Sequence, residues 1–542
     1  MPPRFRRPEP MTTFELVPDD EREDAPDGAP DDRPEEGRRH LADLRDRALA
    51  RWRGLSRRGR AAVAAGTAVV VVAVAGAAVA PGLLDARAER LRAEAVQGLP
   101  GVVDDLSAPL DVVWSLSEGS SVAAVFSGGV LAVTDSAGVR AIDAASGHVV
   151  WEHPLDDGAM CGPTPWTPVD WRTPVRTVVC VEDLDTVTVL DDAGTVLGER
   201  ELDLSSASDD SGNAPVWPQV LPAADGSVAV LDDLASTTEF PWHEGDDDAD
   251  VLRTLRDAGR ADPTMRVLDA ATGEERTEVS LHLSADDIGS CGFSEGGPGG
   301  TALAPQPWID ATPTSTVLSL CGLERAVTPM GDVVDLGDGA SMLAPLPGGG
   351  YLAQGDVSEV LDAHGERLTA VRGLAQVPLV DADPTGPVLA VRGGDGDAPA
   401  LAAVGADGRT DWSSSIDEYA SPVARVGDTV VVAGETAVAA LDARTGEERW
   451  RRTDVIGDRD ASGSAYVSGA VTDGTRLLLA TTGATVDADT GEFVSGSRLL
   501  ALDLRDGTTV WEQPHESDLW GLFSAGGHLV SAGSVMSGLG RP

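Results

Sequence analysis

Downstream of residue 105, apolar residues come in short runs bounded by Gly, Asp and Pro, such as VLAVTD at Val130, RTVVCVED at Arg176, TVVVAG at Thr429 and RLLLATT at Arg476. Runs of this length, rich in β-branched residues and without a 3.6-residue period, predict strands. Upstream the pattern changes. Residues 61–84 (AAVAAGTAVVVVAVAGAAVAPGLL) carry no charge over 24 positions, enough to cross roughly 30 Å of hydrocarbon as a helix. Residues 86–97 (ARAERLRAEAVQ) predict a short helical stalk, ended by Leu99-Pro100-Gly101. The stretch from Glu9 to Glu36 is rich in Pro and Asp and lacks periodic apolar positions, which predicts disorder.

One element recurs through the strand region: an apolar strand, Asp, a tight loop, Gly, then a second strand. Its full form is AIDAASGHVVW (Asp143, Gly147, Trp151), VLDAATGEERT (Asp269, Gly273), ALDARTGEERW (Asp442, Gly446, Trp450) and ALDLRDGTTVW (Asp503, Gly507, Trp511). A shorter form starts at Val189, Val360 and Ala403, and a looser one at Arg325, with Thr328 in place of Asp. The reading is a hairpin whose Asp caps the turn amides and whose Gly takes positive φ. The Trp that follows is placed to fill the space between neighbouring sheets. Taking the Asp position, the turns fall at 143, 191, 269, 328, 362, 405, 442 and 503, a period of about 35–48 residues with insertions. That spacing predicts four-stranded propeller blades, with a solenoid as the competitor. A lone strand with its own Trp (Asp111–Leu116) precedes the first repeat, and a hairpin without the turn (Leu519–Gly533) follows the last. The two pieces together could complete one blade and close a ring.

The ALDARTGEERW element resembles the repeat of PQQ-like β-propellers, a group that includes quinoprotein alcohol dehydrogenases and an outer-membrane assembly lipoprotein. The resemblance covers about residues 110–535 and implies an all-β propeller of about eight blades. The motif is structural, so it specifies blades and not chemistry.

Composition places this architecture. The chain has 542 residues and a net charge of −48, with no lysine and a single asparagine, Asn213. The bias points to a GC-rich, actinobacterial genome, with a halophile as the alternative. Residues 1–60 hold 14 arginines and 14 carboxylates, leaving 27 arginines against 75 carboxylates for the rest. Such acidity repels phosphates and argues against a nucleic-acid partner. Seven arginines lie between Arg45 and Arg60, against three (Arg87, Arg90, Arg92) after the uncharged run, which puts the N-terminus inside. The expected order is a cytoplasmic tail (1–60), a transmembrane helix (61–84), a stalk (85–109), an extracytoplasmic propeller (110–535) and a C-terminal tail (536–542). A cleaved signal ending near Ala80 competes with the anchor.

The four cysteines fall at matched places in two repeats, which favours Cys161–Cys180 and Cys291–Cys321 disulfides on neighbouring strands over buried thiols. Zinc-type Cys/His pairs are absent. The PQQ enzymes use adjacent cysteines and an Asn-containing calcium site; this chain has no adjacent cysteines and its Asn213 lies in a polar loop, so PQQ is not an expected cofactor. The sequence also lacks a G-x-S-x-G, an H-E-x-x-H and a phosphate loop. The acidic run at 244–250 reads as a flexible loop, with weak Ca²⁺ binding as the sharper alternative. GGPGG at 296–300 reads as a disordered loop tip.

The expectation is therefore a non-catalytic module, anchored in the bilayer through 61–84. It would bind envelope proteins through propeller loops, with the insertions at 236–263, 290–308 and 484–497 carrying specificity. A small-molecule sensor or dehydrogenase using the channel is the alternative; recruitment of an internal partner by the tail is a third.

Overall fold

The computed structural model describes residues 87 and 90–541, apart from internal stretches of which the longest are 165–170, 203–218, 233–238, 241–246, 457–465 and 487–492. The expected tail (1–60) and span (61–84) lie outside the described residues. Among those described, no helix is long and apolar enough to cross a membrane.

Nine blades of four antiparallel strands form the structure, the seventh extended by a short parallel strand, Val380–Asp381. Blade 1 shows the plan, with strands Ser121–Phe126, Val130–Asp135, Gly138–Asp143 and Val149–Pro154 paired in chain order. Blades 2 to 8 follow over Met160–Glu201, Gln219–Ser280, Trp308–Asp335, Met342–Arg372, Leu374–Ser415, Ser421–Arg452 and Tyr466–His515. Blade 9 takes Leu519–Ala525, His528–Gly533 and Ser537–Gly540 from one part of the chain and its outer strand, Asp111–Ser115, from another. The register Asp111↔Gly540 to Ser115↔Ser537 latches the ring.

The count is nine rather than about eight because the Asp–Gly turn always joins the third and fourth strands. In blade 9 those two strands are not consecutive, so eight turns accompany nine blades. The segment expected as a C-terminal tail from 536 supplies the third strand of that latch, Ser537–Gly540.

Both faces of a blade are buried against its neighbours, which explains the near-continuous apolar runs. In Thr429–Ala433 every residue is buried. Val430 and Val432 face blade 6, whereas Val431 and Ala433 face blade 8, the two-residue alternation of a strand used on both sides. Leu477 and Leu479 likewise face blade 7, and Leu478 and Ala480 face blade 9. Nine hydrophobic clusters result, one at each blade interface.

The recurrent turn locks each interface. Asp143 Oδ1 accepts the Ser146 N–H at 2.9 Å, Asp269 that of Thr272 at 2.8 Å, Asp442 those of Arg444 and Thr445 at 2.9 and 3.1 Å, and Asp503 that of Arg505 at 2.8 Å. Gly147, Gly273, Gly446 and Gly507 sit at φ between +69° and +72°, where a side chain is strained. Space is the second reason for glycine. A Cβ at Gly446 would stand 2.5 Å from the Trp412 ring, and one at Gly507 2.6 Å from the Trp450 ring. Each ring comes from the outer strand of the preceding blade, and its indole N–H donates to a turn carbonyl. Trp114 bonds Ala144 at 2.8 Å, Trp151 Asp192 at 2.9 Å, Trp412 Ala443 at 2.8 Å and Trp450 Leu504 at 3.1 Å. Where Trp is missing, Thr277 donates its hydroxyl to the Gly331 carbonyl at 2.8 Å. Trp511 faces the blade that lacks a turn, and donates instead to the Leu106 carbonyl at 2.7 Å.

Leu106 belongs to the segment expected as a stalk. Residues 90–96 are helical, but Val96, Val102, Val103 and Leu106 are buried in the propeller clusters. Val103 N–H bonds the Thr472 carbonyl and Asp104 N–H the Gly527 carbonyl. From Val96 onward this segment is part of the propeller, because its apolar residues substitute for the absent turn.

Trp412→Ala is expected to cost about 3–5 kcal/mol, since it opens a cavity at a blade interface and orphans a turn carbonyl; exposed Trp520→Ala should change stability by no more than about 0.5 kcal/mol. Urea unfolding of both variants checks this. Asp442 bonds the Arg449 guanidinium at 2.5 Å, which with the Arg444 N–H holds its carboxyl down to about 2. A folded value below the unfolded one of about 3.9 stabilises at higher pH and is lost as pH falls through about 2. Asp442→Asn should therefore flatten the acid limb of a stability–pH curve between about pH 4 and 2.

Candidate functional site

Strand alternation divides the connections between two faces. First-to-second and third-to-fourth strand connections leave one face, which carries the Asp–Gly turns; second-to-third connections and those between blades leave the other. The insertion at 236–263 joins the second and third strands of blade 3. That at 290–308 joins blades 3 and 4, and that at 484–497 joins the second and third strands of blade 8. All three emerge on the face opposite the turns, here the insertion face. The 90–96 helix packs on the turn face, where Gly474 closely abuts Ala93 and Val96.

The two blade 3 insertions fold together. Asp248–Asp257 is an α-helix, started by Asp247, whose Oδ1 accepts the Ala249 N–H at 3.0 Å. Val251, Leu252 and Leu255 are buried with Leu283 and Ile288, which lie just before the second insertion, and Arg256 donates to the Leu283 carbonyl at 3.1 Å. A small sheet pairs Glu239–Phe240 with Thr301–Leu303, and that strand with Ser294–Gly296. The acidic run read as a flexible loop is thus helical from Asp248. Among the described residues no group of three or more acidic, His or Cys side chains is arranged to hold a metal. In blade 8 the insertion continues two 11-residue strands, Arg476–Val486 and Phe493–Asp503.

Both disulfides form, with Cα separations of 4.0 Å for Cys161–Cys180 and 4.2 Å for Cys291–Cys321. The first joins paired residues on adjacent strands of blade 2. The second does not. The inner strand of blade 4 starts at Trp308, not at Cys291, so this bridge staples the insertion to the turn after Thr316–Leu320 on the same face.

Inner strands of blades 9, 1, 2, 3 and 4 surround a cavity of about 740 Å³ in the channel, open on the insertion face. Trp171, from the blade 2 connection 163–176, reaches inside and packs on Phe523 of blade 9 at a centroid distance of 4.5 Å. Its neighbour Arg172 donates to the Pro378 carbonyl at 3.0 Å. Pro378 lies in the corresponding connection of blade 6, across the ring. A second cavity of about 430 Å³ adjoins Gln376, Ser421 and Tyr466 on that side. The blade 6 connection is itself fixed: Val380–Asp381 pairs in parallel with the inner strand of blade 7. Asp381 also takes both nitrogens of a two-pronged bond from buried Arg425, at 2.8 and 2.5 Å, and Arg425 donates to the Pro387 carbonyl.

The 12 tryptophans sort by this geometry. Five serve the interface locks; Trp52, Trp166, Trp217 and Trp242 lie outside the described residues; of the other three, Trp171 and Trp520 line the larger cavity and Trp308 immediately precedes Ile309 of its lining. The signal available in the sequence was a Trp out of register with the turns. Asp310 is the only charged side chain lining that cavity among the described residues. Behind it, burial pushes the Glu324 carboxyl above the usual carboxylate range, and the Asp310 charge adds to the effect. The two disulfides join residues 19 and 30 positions apart in the chain, not adjacent ones.

Residues 354–538, about a third of the chain, match the family model for outer membrane protein assembly factor BamB. Among solved structures, BamB from Moraxella catarrhalis is 14% identical, with a TM-score of 0.36 over 80% of this chain and 99% of that one. Quinohemoprotein alcohol dehydrogenase from Comamonas testosteroni is 13% identical, with a TM-score of 0.34 over 83% and 79%. Sqt1 from Saccharomyces cerevisiae is 9% identical, with a TM-score of 0.32 over 80% and 100%. No curated protein matches the chain.

Arg425→Met should destabilise by about 3–5 kcal/mol, because it leaves the Asp381 charge buried alone. The Asp381→Leu/Arg425→Met pair should recover most of that loss. Denaturant midpoints of the two single variants and the double variant check the coupling.

Proposed function

We propose that this chain is a non-catalytic protein-binding module of the cell envelope, anchored by residues 61–84, with its propeller outside the membrane and its insertion face turned to a partner. The observation that carries this reading is the stapled element on blades 3 and 4. A propeller needs neither a capped helix nor a disulfide-bound hairpin to close its ring, yet both rise on one face beside the channel mouth. The 90–96 helix, by which the described chain enters the propeller, packs on the opposite face. Loops held by a rigid scaffold are where recognition is concentrated. The match of 354–538 to the BamB family model supports a protein-binding role in general terms.

A small-molecule sensor is the second reading, favoured by the 740 Å³ cavity, a size that ordinary ligands fill.

A photo-crosslinking residue placed at exposed Arg253 on the insertion helix should capture a discrete envelope protein from intact membranes, and the same residue at exposed Val149 on the outer rim should not. Adducts to lipid alone, or the same adducts from both positions, would overturn the proposal.

A further inference from the structure

The cavity on the insertion face forms a cup. Trp171 lines it, and the Arg172–Pro378 bond ties the connection that carries Trp171 to the opposite side of the ring. Two residues of its lining are exposed, Trp520 by 66% and Met160 by 38%, and Trp308, next in the chain to the lining residue Ile309, is 50% exposed. Exposed tryptophans gathered at one concave site are the usual anchors of a protein contact. Strand direction puts a set of carboxylates around the same rim. Glu118 precedes the inner strand of blade 1, Asp135 ends its second strand, Asp156 follows its fourth, and Glu182 and Asp183 close the second strand of blade 2. The arginine among them, Arg140, already pairs with Asp135 at 3.1 Å. Asp310 extends the negative potential into the cup.

Resting on the protein-binding reading above, we propose that the cup recognises a basic polypeptide segment with a large apolar residue at its centre. The apolar side chain enters against Trp171, and flanking Arg or Lys side chains lie on the rim carboxylates and over the faces of Trp520 and Trp308. Charge complementarity selects this occupant: nucleic acid and anionic lipid are repelled, and an acidic peptide would meet like charge over blades 1 and 2 and at Asp310. A peptide also reaches the rim carboxylates and the exposed indoles together, whereas a compact molecule filling the cup would leave them unused.

Fluorescence anisotropy with the full-length chain and three labelled nine-residue peptides tests this. The probes are an Arg-rich peptide with central Trp, the same peptide with central Gly, and the Trp peptide with every Arg changed to Glu. The first should bind at least tenfold tighter than either other, and its Kd should rise with salt. Trp520→Ala and Met160→Glu, both at exposed positions, should each weaken it fivefold or more. Equal binding of the Trp and Gly peptides, no binding of any peptide, or indifference to both substitutions would overturn the proposal. So would a melting temperature raised by N-acetyltryptophanamide in the absence of peptide binding, which would give the cup to a small molecule. The Arg253 crosslink is independent of the cup, so its success alongside failed peptides would leave the wider reading standing.

Discussion

The structure depends on one contact repeated around a ring: a side chain from the outer strand of one blade seated on the turn of the next. The turn must present a glycine, because both its backbone conformation and the approaching ring exclude a Cβ. It must also present a carbonyl to the indole N–H. Asp preorganises the loop so that both are in place before the neighbour arrives. With the inner and middle strands buried on both faces, these locks convert nine thin sheets, none stable alone, into a closed body without exposed inner edges. The Leu106 carbonyl shows how strictly the contact is required. Where no turn exists, a segment from far away in sequence occupies its position.

Local regularities were the legible part of the sequence. The Asp, Gly and Trp spacing identified the blades because each motif is a hairpin that forms within eleven residues. Ring closure was half legible: Asp111–Ser115 and Leu519–Gly533 announced themselves by alternation, but Ser537–Gly540 reads SGLG and carries one large apolar residue. The helix at Asp248–Asp257 was hidden because its three buried residues are set among aspartates that also suit a loop. Cys291 matched Cys161 in order but not in place, since an insertion displaced the blade that follows it.

The candidate site was the least legible, for a physical reason. Its lining comes from five inner strands and the connections beside them, whose residues lie up to 416 positions apart in the chain. Trp171 sits in a Pro-rich stretch that offers no period and no motif. Only its meeting with Phe523 and the bond from Arg172 to Pro378 show that the stretch enters the channel. The acidity, by contrast, was visible from composition, and among the described residues the structure sets several of its carboxylates on the insertion face of blades 1 and 2.

The latch of blade 9 also has a mechanical meaning. Asp111–Ser115 begins at the turn face and runs along the ring axis, antiparallel to Ser537–Gly540. Tension arriving through residue 87 would first have to draw Val96, Val102 and Leu106 out of their apolar seats. It would then load the latch hydrogen bonds side by side, in shear, instead of unzipping them one after another. A ring fastened in this way resists a pull through the chain that precedes it, and the strand that completes the fold is the one that carries the load.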